Sequence, residues 1–192
     1  MDQAEPAVDE QAEAAAASGD RVLNGEVITS DDAGRIKERS HFKQGKLDGE
    51  TVIYDETGLI LQKVNFKAGV MNGEMVFFEK GTMLLKSSYK NGKLDGVSTT
   101  FDESGKPAIE ADYQAGKLHG DSHWYGQDGQ PVKRSQFRDG KLEGVTIEYY
   151  PSGKPQIRSE YKDNKLDGEV VEYTEDGKIK SRVLFKAGEP VV

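Results

Sequence analysis

The apolar positions of this chain come in short runs that alternate with polar ones, and glycine-bearing turns break the runs. Glu50-Thr51-Val52-Ile53-Tyr54 is one such run and Leu59 to Lys67 a longer one. Short runs of β-branched, aromatic and other apolar residues bounded by turn signals read as β-strands. Asp55-Glu56-Thr57-Gly58 and Asn72-Gly73 supply turn chemistry between the runs. The pattern predicts β-hairpins, one short and one long strand each, pairing in succession into an antiparallel sheet.

The hairpin recurs. Phe42-Lys43-Gln44-Gly45-Lys46-Leu47-Asp48-Gly49 returns at Phe66, Tyr89, Tyr113, Phe137 and Tyr161, with a partial copy at Phe185. The period is 24 residues at every step except one of 23, between Phe66 and Tyr89. Three glycine columns follow this grid and hold 20 of the 22 glycines. In the first column, headed by Gly45, Asn164 replaces one glycine, which marks the column as left-handed because Asn tolerates positive φ best after Gly. A valine at Gly116 in that column is expected to damage folding.

Thirteen of the 16 aromatic residues fall into two further columns, one headed by Phe42 and one by Tyr54. Leu47, Met71, Leu94, Leu118, Leu142 and Leu166 form a third apolar column. The expected fold is all-β: one elongated antiparallel sheet of about seven stacked hairpin repeats. Its core would be ladders of like aromatics. Some fourteen strands at ~4.8 Å give a length of roughly 65 Å. The missing residue of the second interval falls between Phe78 and Gly81, a shortened turn.

Tyr-Lys-Asn-Gly-Lys-Leu-Asp-Gly at 89–96, followed by Phe-Asp-Glu-Ser-Gly at 101–105, resembles the bacterial variant of the MORN repeat. The resemblance covers about residues 21–192. It implies the hairpin-array fold, and it implies binding and not catalysis. Bacterial proteins of this type are frequently labelled antitoxins, and eukaryotic MORN arrays are associated with scaffolding and phospholipid contact.

Charge divides the chain into two parts. Residues 1–20 carry six of the eight net negative charges and no base, while the remaining 172 residues hold 26 basic and 28 acidic side chains. The first part is Ala, Glu, Asp and Gln without aromatics, a composition expected to act as a flexible tether. No signal peptide is present, since acidic residues follow Met1. Two origins stay open: a cytoplasmic protein that starts here, or a Met1 that replaces a removed signal segment. The acidic, Ala-rich spacer resembles the residues after the lipidated cysteine of bacterial lipoproteins, which points to the cell envelope.

Candidate chemistry is sparse. The absence of cysteine removes disulfides and thiolate chemistry. His119 and His123, four apart, would share a metal only on a helix, and here they fall in a turn and a strand. Pro151-Ser152-Gly153-Lys154 lacks most of a phosphate loop. No catalytic motif is found, so no enzyme activity and no cofactor is expected.

The outer face is more informative. If both aromatic columns share one face, the other carries Arg39, Lys63, Lys86, Arg134, Arg158 and Arg182, with Glu110 as an exception. A second basic column is Lys43, Lys67, Lys90, Arg138, Lys162 and Lys186. Such stripes suit an acidic partner or anionic lipid, or are solvated charges balanced by Glu148 and Glu172. Three aromatics break the grid: Phe77, Trp124 and Tyr150. Phe77 and Trp124 share the strand position of Ile53, and on the same register assumption Leu61, Leu84 and Val132 join them in one apolar patch that tapers into charge. The expected site is therefore a protein-binding patch of Trp124, Phe77, Ile53, Leu61, Leu84, Val132 and Tyr150, with Arg134 and Arg158 at its rim. The expected function is a non-enzymatic antitoxin or immunity protein that occludes a toxin or effector enzyme; an envelope scaffold that touches lipid is the alternative.

Overall fold

The computed structural model describes residues 22–191. The tether expected over residues 1–20 lies outside them. Sixteen strands follow one another: β1 (Gly25–Ser30), β2 (Ile36–Lys43), β3 (Lys46–Leu47), β4 (Gly49–Tyr54), β5 (Ile60–Lys67), β6 (Val70–Glu79), β7 (Thr82–Lys90) and β8 (Lys93–Phe101). They continue as β9 (Pro107–Gln114), β10 (Lys117–Tyr125), β11 (Pro131–Arg138), β12 (Lys141–Tyr149), β13 (Pro155–Lys162), β14 (Lys165–Tyr173), β15 (Ile179–Lys186) and β16 (Glu189–Pro190). Each pairs antiparallel with its sequence neighbour in a single sheet without crossovers. β3 and β4 are two pieces of one short strand interrupted at Asp48, and β3 pairs with β2 beside β4. That split and the two-residue β16 account for the difference from the expected fourteen.

Two kinds of turn alternate. At the hairpin tips, two consecutive residues have positive φ: Gln44 (51°) with Gly45 (73°), Ala115 (50°) with Gly116 (86°), Asp163 (49°) with Asn164 (66°). Two positive-φ residues in a two-residue loop match the right-handed twist of the strands they join. At the opposite edge an aspartate organises the turn: Asp55 accepts from the Thr57 and Leu59 amides, each at 2.9 Å, and Asp102 repeats this with Ser104 and Lys106. These hydrogen bonds to the charged form hold both carboxyls below the ordinary aspartate range, the hydroxyls of Thr57 and Ser104 contributing most. The 23-residue interval loses this aspartate turn. Lys80 (φ 50°) and Gly81 (φ 84°) close a two-residue loop there, with Glu79 opposite Thr82.

Asn72-Gly73, expected as a turn, lies inside β6. The second glycine column marks a bulge in the short strand, where the register slips: Leu118 opposes Tyr113, yet Ser122 opposes Ala111. The extra residues free a backbone amide, and a side chain of the neighbouring strand reaches it. Gln136 Oε1 accepts from the Val145 amide at 2.9 Å, and Asp112 accepts from Asp121 at 3.4 Å. Glycine leaves room for this side chain, because a Cβ on Gly120 would meet Asp112 Oδ2 at 2.9 Å and its Cβ at 3.1 Å.

The register corrects the expected arrangement of the faces. Residues directly opposed in an antiparallel pair share a face. Phe137 opposes Leu142, Ser135 opposes both Ser122 and Thr146, and Lys133 opposes both Trp124 and Glu148. These residues, with the Phe42 column, form what we term the serine face. Arg134 opposes both His123 and Ile147 on the arginine face. Tyr125 alternates with Trp124 and stacks on His123, ring centroids 6.3 Å apart, so the Tyr54 column lies with the arginines. The two aromatic columns occupy opposite faces, not one.

Nor are the aromatics the most buried residues; they are half-buried. The most buried line on the serine face is Ser40, Val64, Ser87, Ala111, Ser122, Ser135 and Ser159, with Ser135 fully enclosed. Its hydroxyls pair across strands, Ser87 Oγ to Ser98 Oγ at 2.7 Å and Thr146 Oγ1 to Ser135 Oγ at 3.0 Å. Within one layer, a small side chain is enclosed only when larger neighbours on both sides lean over it. The Phe42 column stands two residues along the strand on one side and the Trp124 row two residues on the other.

Candidate functional site

On the serine face, cross-strand pairs string together one row: Ile53 with Gln62, Gln62 with Phe77, Phe77 with Leu85, Leu85 with Thr100, Thr100 with Ile109 and Ile109 with Trp124. Beyond Trp124 the row becomes charged, through Lys133 and Glu148. Over about six strand spacings, or ~29 Å, it offers five large apolar side chains and two polar ones, Gln62 and Thr100. All seven are half-buried, and among the described residues no second layer covers them. Lys133 Nζ sits 5.5 Å from the Trp124 ring centroid, a cation–π contact that closes the apolar stretch at its charged end.

Of the sequence-derived candidates, this row holds Ile53, Phe77 and Trp124. Leu61, Leu84 and Val132 are instead the unpaired residues of β-bulges in β5, β7 and β11, and take no place in the row. The single patch expected from the sequence is therefore not assembled: only three of its seven apolar residues share the row. Tyr150 is outside the row as well: it stands in the turn after β12 and donates its hydroxyl to the Tyr173 carbonyl at 2.8 Å, a link between repeats. Leu85 and Ile109 complete the row and escaped the sequence reading.

The basic stripe of the arginine face is largely compensated. Arg134 Nη2 meets Asp121 Oδ2 at 3.0 Å, Arg158 meets Glu160 at 2.8 Å, Lys86 meets Glu74 at 2.7 Å, and Arg39 and Arg182 each face a glutamate at 3.4 Å. Its partners are Glu26, Glu74, Asp121, Glu160 and Glu169, not the expected Glu148 and Glu172. Arg134 is thus held in a cross-strand ion pair and Arg158 in one within β13, each in a different place from the Trp124 rim. Glu110, the acidic exception, accepts from the Tyr125 hydroxyl at 2.7 Å. Burial first, and then this bond, push the Tyr125 phenol up to about 12. His123 stacks on Tyr125, whereas His119 faces Asp139 at 3.7 Å.

An open sheet of stacked hairpins, with an apolar row on one face and compensated charge on the other, defines a repeat protein whose working parts are surfaces. The MORN repeat variant matches residues 94–115, 142–163 and 166–187, three repeats of the array. The intervening segment and the N-terminal hairpins follow the same grid in structure. No curated protein matches the chain. Two crystal structures of TarM, one of an S. aureus point mutant with fondaparinux, alpha-GlcNAc-glycerol and UDP, share 15% identity over 74% of this chain and 22% of theirs. Their TM-score of 0.27 does not extend to a shared fold.

Proposed function

We propose that this MORN-variant array is a non-enzymatic protein-binding module whose contact surface is the Ile53–Trp124 row of the serine face. The observation that carries the reading is the extent of that row: five large apolar side chains within seven consecutive cross-strand positions, interrupted by Gln62 and Thr100 and half-exposed on a single-layer sheet. Apolar patches of this kind, anchored by an aromatic residue and rimmed by charge, suit a protein partner better than solvent. The partner we favour is a toxin or effector enzyme that the array neutralises by covering its active surface. This finer reading draws on the resemblance to bacterial MORN-variant antitoxins. An envelope location, reached through residues 1–20, belongs to the same proposal and rests on the sequence alone. The ion pairs of Arg39, Lys86, Arg134, Arg158 and Arg182 speak against the middle of the arginine face as a lipid-binding surface.

Trp124 is the only tryptophan, so its fluorescence reports the row directly. The array, immobilised at moderate salt, should capture one stoichiometric partner from lysate of the source organism. The purified partner should then shift the Trp124 emission to the blue and lose its activity. Phe77→Ser and Trp124→Ala should each weaken capture at least tenfold with the thermal transition retained. Capture that is indifferent to both substitutions, or retention on anionic liposomes with no protein partner, would overturn the reading.

A further inference from the structure

The hairpin tips form one long edge of the sheet, and charge is unevenly distributed along it. The first four tips carry Lys43, Lys46, Lys67, Lys90, Lys93 and Lys117 against two carboxylates, Asp48 and Asp95. Those carboxylates are engaged by backbone, accepting from the Ala68 and Ala115 amides at 3.0 Å each. Lys43 stands directly opposite Lys46, and Lys90 opposite Lys93. Like charges so placed repel. Among the described residues, none of the six lysines has a carboxylate within ion-pairing distance. The remaining tips differ. Arg138, Lys141, Lys162, Lys165 and Lys186 are matched there by Asp139, Glu143, Asp163, Asp167 and Glu189. Lys141 meets Asp163 at 2.6 Å and Lys186 meets Asp167 at 2.9 Å. Only the N-terminal half of the edge is left with excess positive charge.

The chain enters the described structure beside this excess. Leu23 accepts from the Gly45 amide at 2.9 Å, Asn24 Oδ1 accepts from the Gln44 amide at 2.8 Å, and Val22 lies 3.7 Å from where a Gly45 Cβ would stand. The residues that precede it include Asp2, Glu5, Asp9, Glu10, Glu13 and Asp20, six carboxylates without a base before Arg21. The first and fourth tips are about 29 Å apart, six strand spacings. Nineteen residues reach up to ~60 Å, so the segment can span all four.

We infer that the tip edge over residues 43–117 is a docking surface for an acidic polypeptide segment, and that its occupant in the free protein is the chain's own residues 2–20. Six carboxylates answer six lysines, and the covalent link at the first tip raises their effective concentration. An anionic partner reaching this edge must displace the segment. The inference is independent of the apolar row, and its test needs no partner.

Because the chain lacks cysteine, Ala12→Cys gives a single spin-label site on the full protein. At low salt the label should broaden the amide resonances of Gly45, Gly69, Gly92 and Gly116 at least twofold more than those of Gly153 and Gly177 on the opposite edge. Raising salt to ~1 M, where the Debye length falls to about 3 Å, should remove the difference. Lys43→Gln, Lys46→Gln, Lys90→Gln and Lys93→Gln together should also abolish it, with the thermal transition unchanged or raised because two like-charge pairs disappear. Equal broadening of both edges, or broadening that survives high salt or the four substitutions, would overturn the inference. So would broadening that appears only when labelled and isotope-labelled molecules are mixed, since the occupant would then be a second copy.

Discussion

Gly120 and Gly129 have similar backbones and different surroundings. Gly120 has φ +107° at a bulge and Gly129 has φ +79° at an aspartate-type turn, so a side chain at either costs about 1–2 kcal/mol in backbone strain. Only at Gly120 does the new Cβ meet a neighbour, Asp112, which has swung over the bulge to accept from the Asp121 amide. Gly120→Ala should therefore lower stability by about 1 kcal/mol more than Gly129→Ala, because the displaced carboxylate leaves that amide without its partner. Urea unfolding of the two variants side by side measures the difference, and equal losses would show that backbone strain alone acts. The glycine grid was visible in the sequence, but the reason for its middle column was not. An unpaired amide and the side chain that reaches it arise only once the strands are in register. The same limit explains the misplaced aromatic faces. A two-residue tip sets Phe137 opposite Leu142, and Tyr149 lies seven residues further on, an odd number, hence on the other face. Phe77 next to Phe78 carried the same information without any register. Treating both aromatic columns as one core hid it.

At the scale of the hairpin, the Leu-Asp-Gly triplet works between repeats. In every repeat the leucine-column carbonyl accepts from the first-column amide of the next tip, as Leu94 does from Gly116 at 2.7 Å and Leu142 from Asn164 at 3.0 Å. The aspartate beside it accepts from the preceding residue of that tip, as Asp95 does from Ala115. Both partners are residues at positive φ, so these bonds hold the turn in its left-handed shape as well as joining neighbours. Asp95→Ala should cost about 0.5–2 kcal/mol, the range for a lost cap on an exposed amide. Hydrogen exchange should quicken at Ala115 and Gly116 and leave Gly45 unchanged. A uniform rise across all tips would mean that the repeats are not coupled through this contact. The tip turns and their handedness were legible from Asn164 alone. The lock was not, because it links residues 20 positions apart through a side chain whose usual reading, next to glycine, is a local turn.

The array is quasi-one-dimensional, since among the described residues each strand pairs only with its sequence neighbours, β3 and β4 counting as one split strand. Stability in such an array is close to a sum of repeat and nearest-neighbour terms, so one period can be removed without altering the others. Removal of residues 117–140, a full 24-residue period, joins Gly116 to Lys141 with every column in step. The shortened chain should fold cooperatively with a lower midpoint, and circular dichroism with a denaturant series reads both. Its binding should fall far more than its stability. The deleted period contains Trp124, and Glu148 then stands beside Ile109 where the apolar row had continued. Partner capture by the shortened array, compared with capture by an array lacking the C-terminal period 165–188, separates the two contributions. If both deletions weaken capture equally, affinity depends on array length and not on the row. Loss confined to the 117–140 deletion would place the contact where the apolar side chains are, in the one stretch of the array in which the repeats stop being alike.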